Sequence, residues 1–107
     1  MIKIKKQLHR PDGGTVTSGS IIDYNSKFVG SNKTVNYFLT HYVNQAAIDS
    51  GKDKIPAVTN FIYVQKKVCT DEEWIALNTH PNAGMQTQLW LQEIIDAAIG
   101  GGNTEII

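Results

Sequence analysis

Apolar and polar residues alternate from the start of the chain. Ile2, Ile4 and Leu8 are interleaved with Lys3, Lys5 and Gln7, the period of two expected of a strand with one buried face. Lysines on its outer face predict an edge strand, because a charged row deters unwanted pairing. Pro11 and the Gly13-Gly14 pair then demand a turn, since proline fixes φ and glycine supplies positive φ. Thr15 to Tyr24 is β-prone again, with a bend expected at Ser18-Gly19-Ser20. After a polar turn from Gly30 to Lys33, the segment Thr34 to Val43 puts Val35, Tyr37, Leu39 and Val43 on one face and Phe38 and Tyr42 on the other. Val58 to Val68 has the same character, with Val58, Ile62 and Val64 opposing Phe61 and Tyr63. Large apolar groups on both faces predict central strands. Between these two segments, Asn44 to Pro56 forms a long excursion with room for one helical turn and a candidate contact loop.

The pattern then changes to helical spacing. Thr70 supplies a hydroxyl at an N-cap and Glu73 a carboxylate at the third helical position, a capping box, with Cys69 and Trp74 in the two positions of a hydrophobic staple. Asp71, Glu72 and Glu73 complement the positive end of the helix dipole. Pro81 and Gly84 interrupt this helix before a second one, Met85 to Ile99. Within it Leu91, Ile94, Ile95, Ala98 and Ile99 draw one apolar stripe, widened by Trp90 and Ala97. Gly100 is placed to end it in the left-handed conformation. Gly101 and Gly102 form a hinge, and Asn103 to Ile107 a short arm anchored by its isoleucines, on its own domain or on a neighbour. These elements predict an α+β fold: a small antiparallel β-sheet or partial barrel of about four strands followed by two C-terminal helices. Residues 1–100 form a single α+β domain and 101–107 a C-terminal arm.

Composition narrows the classes of function. A chain of 107 residues buries one modest core. Ten basic residues balance ten acidic ones, so no global field draws the protein to nucleic acid or to an anionic membrane. No run approaches the roughly 18 apolar residues of a membrane span, and no signal-peptide pattern opens the chain, so synthesis in a cytoplasm is expected. One cysteine, Cys69, excludes an intrachain disulfide, a zinc quartet and a CxxC redox pair.

The residues that carry chemistry are dispersed. His9, His41 and His80 lie in different segments without metal-ligand spacing, so no metal is expected. His41 is expected to be a sheet residue satisfied by hydrogen bonds, and His80 a solvated loop residue. Cys69 precedes a helix, a position that lowers a thiol pKa, but the acidic residues beside it oppose the thiolate and favour a packing role. Asp71, Glu72 and Glu73 fan outward around a helix and cannot converge on one substrate atom. PDGGT and IGGGN lack the spacing that cradles phosphate. Lys3, Lys5, Lys6, Lys66 and Lys67 make a basic patch only if their strands are neighbours, and no aromatic residues interleave with them as a stacking platform requires. No catalytic, cofactor-binding or metal-binding residue is therefore assigned. What remains is surplus apolar material. Trp74, Trp90, Ile106 and Ile107 exceed what a small sheet and two helices hide, and are the candidate interface.

With SGSIIDYNSKF, NYFLTHYVN, SGKDKIPAVTNFIYV and CTDEEWIAL in that order, from Ser18 to Gly100, the chain resembles small virion proteins of tailed bacteriophages and prophages. In these, short β-segments with a Gly-Lys loop precede a Thr-Asp-Glu-Glu helix and a final helix. The resemblance implies a non-enzymatic structural subunit of the neck, tail or capsid surface, with no catalytic residues to carry over. The function expected is that of a virion subunit made in the host cytoplasm, placed at the head-tail connection or tail, which oligomerises and lays its C-terminal arm on a neighbour. Its partners are then further copies and other virion proteins, with no cofactor, small-molecule substrate, membrane or nucleic acid. A stand-alone adaptor or regulatory module that binds another protein is the alternative, followed by a small enzyme or nucleic-acid binder. On the leading view, removal of Asn103 to Ile107 weakens assembly and leaves melting nearly unchanged.

Overall fold

The computed structural model describes residues 1–107 apart from 53, 80 and 82. In chain order the elements are β1 (Ile2–Ile4), β2 (Leu8–His9), β3 (Thr15–Val16), β4 (Ser20–Val29), β5 (Thr34–Tyr42), α1 (Gln45–Ser50), β6 (Val64–Val68), α2 (Asp71–Thr79), α3 (Ala83–Ile99) and β7 (Thr104–Ile106). β2 and β3 pair as a small hairpin. The other strands form one sheet in the order β6-β5-β4-β1-β7, with every neighbouring pair antiparallel. The α+β architecture expected from the pattern is the one observed.

Register assigns the faces, because directly opposed residues of an antiparallel pair project to the same side. Ile2 opposes Ile22, Ile22 opposes His41, and Tyr24 opposes Leu39, so one face carries Ile2, Ile4, Ser20, Ile22, Val35, Tyr37, Leu39 and His41. All of these are buried. Helices α2 and α3 supply the matching layer through Leu77, Trp90, Leu91, Ile95 and Ile99. The Tyr37 hydroxyl reaches across it and donates to the Thr87 carbonyl of α3 at 2.7 Å. The buried stripe of α3 is Thr87, Trp90, Leu91, Ile95 and Ile99, with Ile94 at its margin, whereas Ala97 and Ala98 are exposed. The opposite face of the sheet is largely open, and Asp23, Lys27, Phe38, Val64, Lys66 and Val68 on it are exposed.

Two sequence expectations are corrected by this topology, and a third point that depended on strand order is decided. β1 is an interior strand, since β7 pairs along its outer side (Ile2↔Ile106, Lys3↔Glu105, Ile4↔Thr104). Val58 to Val68 is not one central strand. Only Val64–Val68 is extended in the sheet, and it forms the opposite edge. The segment before it is captured by the β2 hairpin, through Thr59 N–H to the His9 carbonyl at 2.7 Å and His9 N–H to Asn60 Oδ1 at 3.1 Å, which buries Val58 and Phe61 from a loop. The five lysines do not gather, because β5 and β4 separate β6 from β1. Lys67 instead pairs with Glu73 at 3.2 Å, and Lys6 Nζ donates to the Ile99 carbonyl at 2.7 Å, capping the end of α3.

Local signals hold at the helix ends. Thr70 N–H donates to Glu73 Oε1 at 2.9 Å and Glu73 N–H to Thr70 Oγ1 at 3.1 Å, the reciprocal pair of a capping box. Those bonds, Thr70 N–H first, together with Lys67 hold the Glu73 carboxyl below its ordinary pKa. Replacing Thr70 with Ala removes one partner of the pair and is expected to cost about 1 kcal/mol in urea unfolding. At the other end of the helical layer, Gly100 takes φ +103° and its N–H donates to the Asp96 carbonyl at 2.7 Å. Gly102 also has positive φ, so the chain reverses there at no steric cost. Thr104 Oγ1 then donates to Asp96 Oδ1 at 2.8 Å and residues 104–106 join the sheet as β7. The expected arm is therefore an edge strand of its own domain.

Candidate functional site

Side chains able to pass a proton meet at one buried point. His41 on β5 places Nε2 2.8 Å from Ser20 Oγ on β4 and Nδ1 3.0 Å from the Tyr63 hydroxyl. A hydroxyl, an imidazole and an orienting group in line is the arrangement of nucleophilic catalysis. Here Ser20 is 0% and His41 1% exposed, so substrate has no approach to either atom. Burial also pulls the imidazole pKa down to about 4 and pushes the Tyr63 hydroxyl up to about 12, so both groups are neutral near pH 7. Phe61 and Tyr63 pack around the imidazole at ring separations of 6.1 and 5.7 Å. The cluster is a polar pin joining β4, β5 and the chain entering β6, and His41 is satisfied as its place in the sheet predicted.

The remaining chemistry-bearing residues stay apart or are occupied. Cys69 is buried, and burial, reinforced by the Glu73 charge, raises its thiol pKa. Asp71 pairs with Lys33, and Glu73 with Lys67. In the β2-β3 turn, Gly14 N–H donates to Asp12 Oδ1 at 2.9 Å within its own loop. Among the described residues there is no group of three His, Cys, Asp or Glu that could hold a metal, and no helix long and apolar enough to cross a membrane. His80 lies outside the described residues.

The predicted interface residues do not form one surface. Trp90 is only 7% exposed and belongs to the core, with the Lys67 ammonium 5.4 Å from its ring centroid. Trp74 is half-buried on α2, its ring edge-on to Phe28 at 6.2 Å. Ile106 is half-buried in β7 and Ile107 is exposed beyond it. Their strand is separated from β6 by three others.

A different strip is apolar and uncovered. Val64 and Val68 are 58% and 62% exposed on the open face of β6, Phe38 stands directly opposite Val64, and Ile62, just before the strand, is 71% exposed. The strip runs along a backbone edge that pairs with no strand among the described residues. Leu39 N–H donates to the Tyr63 carbonyl and Cys69 N–H to the Lys33 carbonyl, so odd-numbered residues of β6 bond inward to β5. By the alternation of antiparallel ladders, the N–H and C=O groups of Val64, Lys66 and Val68 point outward. Sequence reasoning passed over these residues. The available signal was the pair of lysines between Val64 and Val68, a composition typical of guarded edges. A second apolar feature is a groove of about 410 Å³ between α2 and α3, lined in part by Leu77, Met85, Leu89 and Trp90. The chain matches no protein-family model, no curated protein and no solved structure.

Proposed function

We propose that the protein is a non-enzymatic structural subunit that works by self-association along the β6 edge, and that it serves in the neck or tail of a tailed-phage particle. The observation that carries the proposal is the coincidence of exposed Phe38, Ile62, Val64 and Val68 with the outward backbone groups of an unpaired edge strand. An exposed apolar edge is a template for another strand, and contiguous exposed apolar surface marks interfaces. Closure of the Ser20-His41-Tyr63 cluster to solvent favours a structural over a hydrolytic role. The place in a virion rests on the resemblance of the segments between Ser18 and Gly100 to small phage virion proteins. Its partners are then further copies and neighbouring virion proteins.

Light scattering over a concentration series tests association. The wild-type mass is expected to rise with concentration, while Val64→Asp and Val68→Asp weaken association by about tenfold or more, equivalent to roughly 1.4 kcal/mol. Both sites are exposed, so the variants should melt like the wild type, within about 0.5 kcal/mol. A wild-type monomer at all concentrations overturns the proposal. Mass spectrometry of purified particles tests the virion assignment, which fails if the chain is absent from them. The adaptor alternative is favoured by the α2-α3 groove, whose exposed Met85 and Leu89 suit the apolar face of a partner helix.

A further inference from the structure

Resting on the self-association reading, we propose that the β6 edge of one copy is completed by the β7 edge of the next, head to tail, with Lys66 set against Glu105. Among the described residues neither edge has a strand paired along its outer side. Lys5 N–H donates to the Asn103 carbonyl at 2.7 Å and Ile107 N–H to the Met1 carbonyl at 3.0 Å, so odd-numbered residues of β7 bond inward to β1. Thr104 and Ile106 therefore present their N–H and C=O groups outward, as Val64, Lys66 and Val68 do on β6.

Charge selects between the pairings. On the open face, Lys66 lies in a cross-sheet row with Asn36 and Lys27, which contains no carboxylate, and among the described residues Lys66 makes no salt bridge. Glu105 is exposed on that same face at the other edge, since it opposes Lys3, which opposes Ile21, which opposes Tyr42. On that side of the sheet one edge thus presents Lys66 and the other Glu105, with Lys3 on the strand behind it. A two-fold β6-to-β6 pairing centred on the strand sets Lys66 against Lys66, and like charges directly opposed are destabilising. Head-to-tail pairing sets opposite charges together.

Strand direction permits it. Because every neighbouring pair in β6-β5-β4-β1-β7 is antiparallel, β6 and β7 run the same way. Copies repeated in one orientation place β6 beside β7 in parallel and keep the helical layers on one side. The Lys66 row meets β4 at Lys27 and the Glu105 row meets it at Ile21. That separation of six residues corresponds to a shift of about 20 Å along the strands from each copy to the next. Such a contact is heterologous, and it builds a ring or an open filament rather than a closed two-fold dimer.

The test mixes isotopically heavy and light full-length protein at a concentration where it associates, then applies a zero-length carbodiimide that joins amines to carboxylates. A Lys66-Glu105 isopeptide carrying one heavy and one light peptide is expected. Lys66→Glu and Glu105→Lys should each weaken association by about tenfold, and the double reversal should restore it. Association that persists with no mixed Lys66-Glu105 link, or that Glu105→Lys leaves unchanged, overturns the head-to-tail pairing and leaves self-association standing. A chain that never associates overturns both.

Discussion

Deletion of residues 103–107 is expected to lower the unfolding free energy by at least about 3 kcal/mol, because the hydrogen bonds that leave with them include, besides the Lys3–Glu105 ladder pair, three that count at about 1 kcal/mol each. These are Lys5 N–H to the Asn103 carbonyl, Ile107 N–H to the Met1 carbonyl, and Thr104 Oγ1 to Asp96 Oδ1. Ile2 and Ile4 of β1, both fully buried, lose the strand that flanks them, so about 3 kcal/mol is a lower figure. Urea unfolding of the truncated and full chains at equal concentration measures the difference. The sequence expectation was the reverse: near-normal melting with weakened assembly. An unchanged midpoint would show that β7 does not hold β1 in solution, and that the tail is free to pair elsewhere. Truncation also removes Glu105, so it cannot separate stability from assembly. The point substitution Glu105→Lys can.

Stability is expected to be highest above pH 6.5 and to fall by up to about 3 kcal/mol as pH drops through the window from 6.5 to about 4. The sign follows from His41. Its folded pKa lies below its unfolded value, so the unfolded chain takes up the proton first and acid favours unfolding. Loss is complete only below the folded pKa. The cause is burial of charge rather than broken bonds, since Ser20 Oγ and the Tyr63 hydroxyl could both accept from an imidazolium. Replacing His41 with Gln keeps a polar group in the pocket and should flatten the profile between pH 6.5 and 4, from a lower starting stability. Denaturant unfolding across that range, with and without the substitution, reads the effect directly. A wild-type profile that is level down to pH 4 would mean the imidazole is charged in the folded state or reached by water.

Much of the candidate surface was hidden in the sequence for a physical reason. Val64 and Phe38 are apolar residues in apolar neighbourhoods, and nothing in their spacing separates a residue facing a helix from one facing solvent. The helical layer covers a single face of the sheet, so the second apolar face of β5 and β6 is what remains outside. Trp90 erred in the other direction. A large aromatic suggests surplus, but Trp90 packs into the core and is only 7% exposed, at the wall of the α2-α3 groove. The Ser20-His41-Tyr63 cluster joins residues 21 and 22 positions apart, a distance that no local motif spans.

By itself the sequence determined what depends on residues within a few positions of one another. Thr70 and Glu73 specified a helix start, Gly100 a helix end, and the β-branched and aromatic run from Thr34 to Val43 a strand, observed over Thr34–Tyr42. It also determined the fold class, because strand and helix periods differ. Only the tertiary structure decided which strands are edges. β1 is enclosed by residues 104–106, about a hundred positions away, while β6 ends the sheet and the chain before it bonds to the β2 hairpin. A strand's period states that it has a buried face and an outward face. Which neighbour fills its backbone hydrogen bonds is settled by non-local pairing, and among the described residues no strand of this chain lies along the outer side of β6.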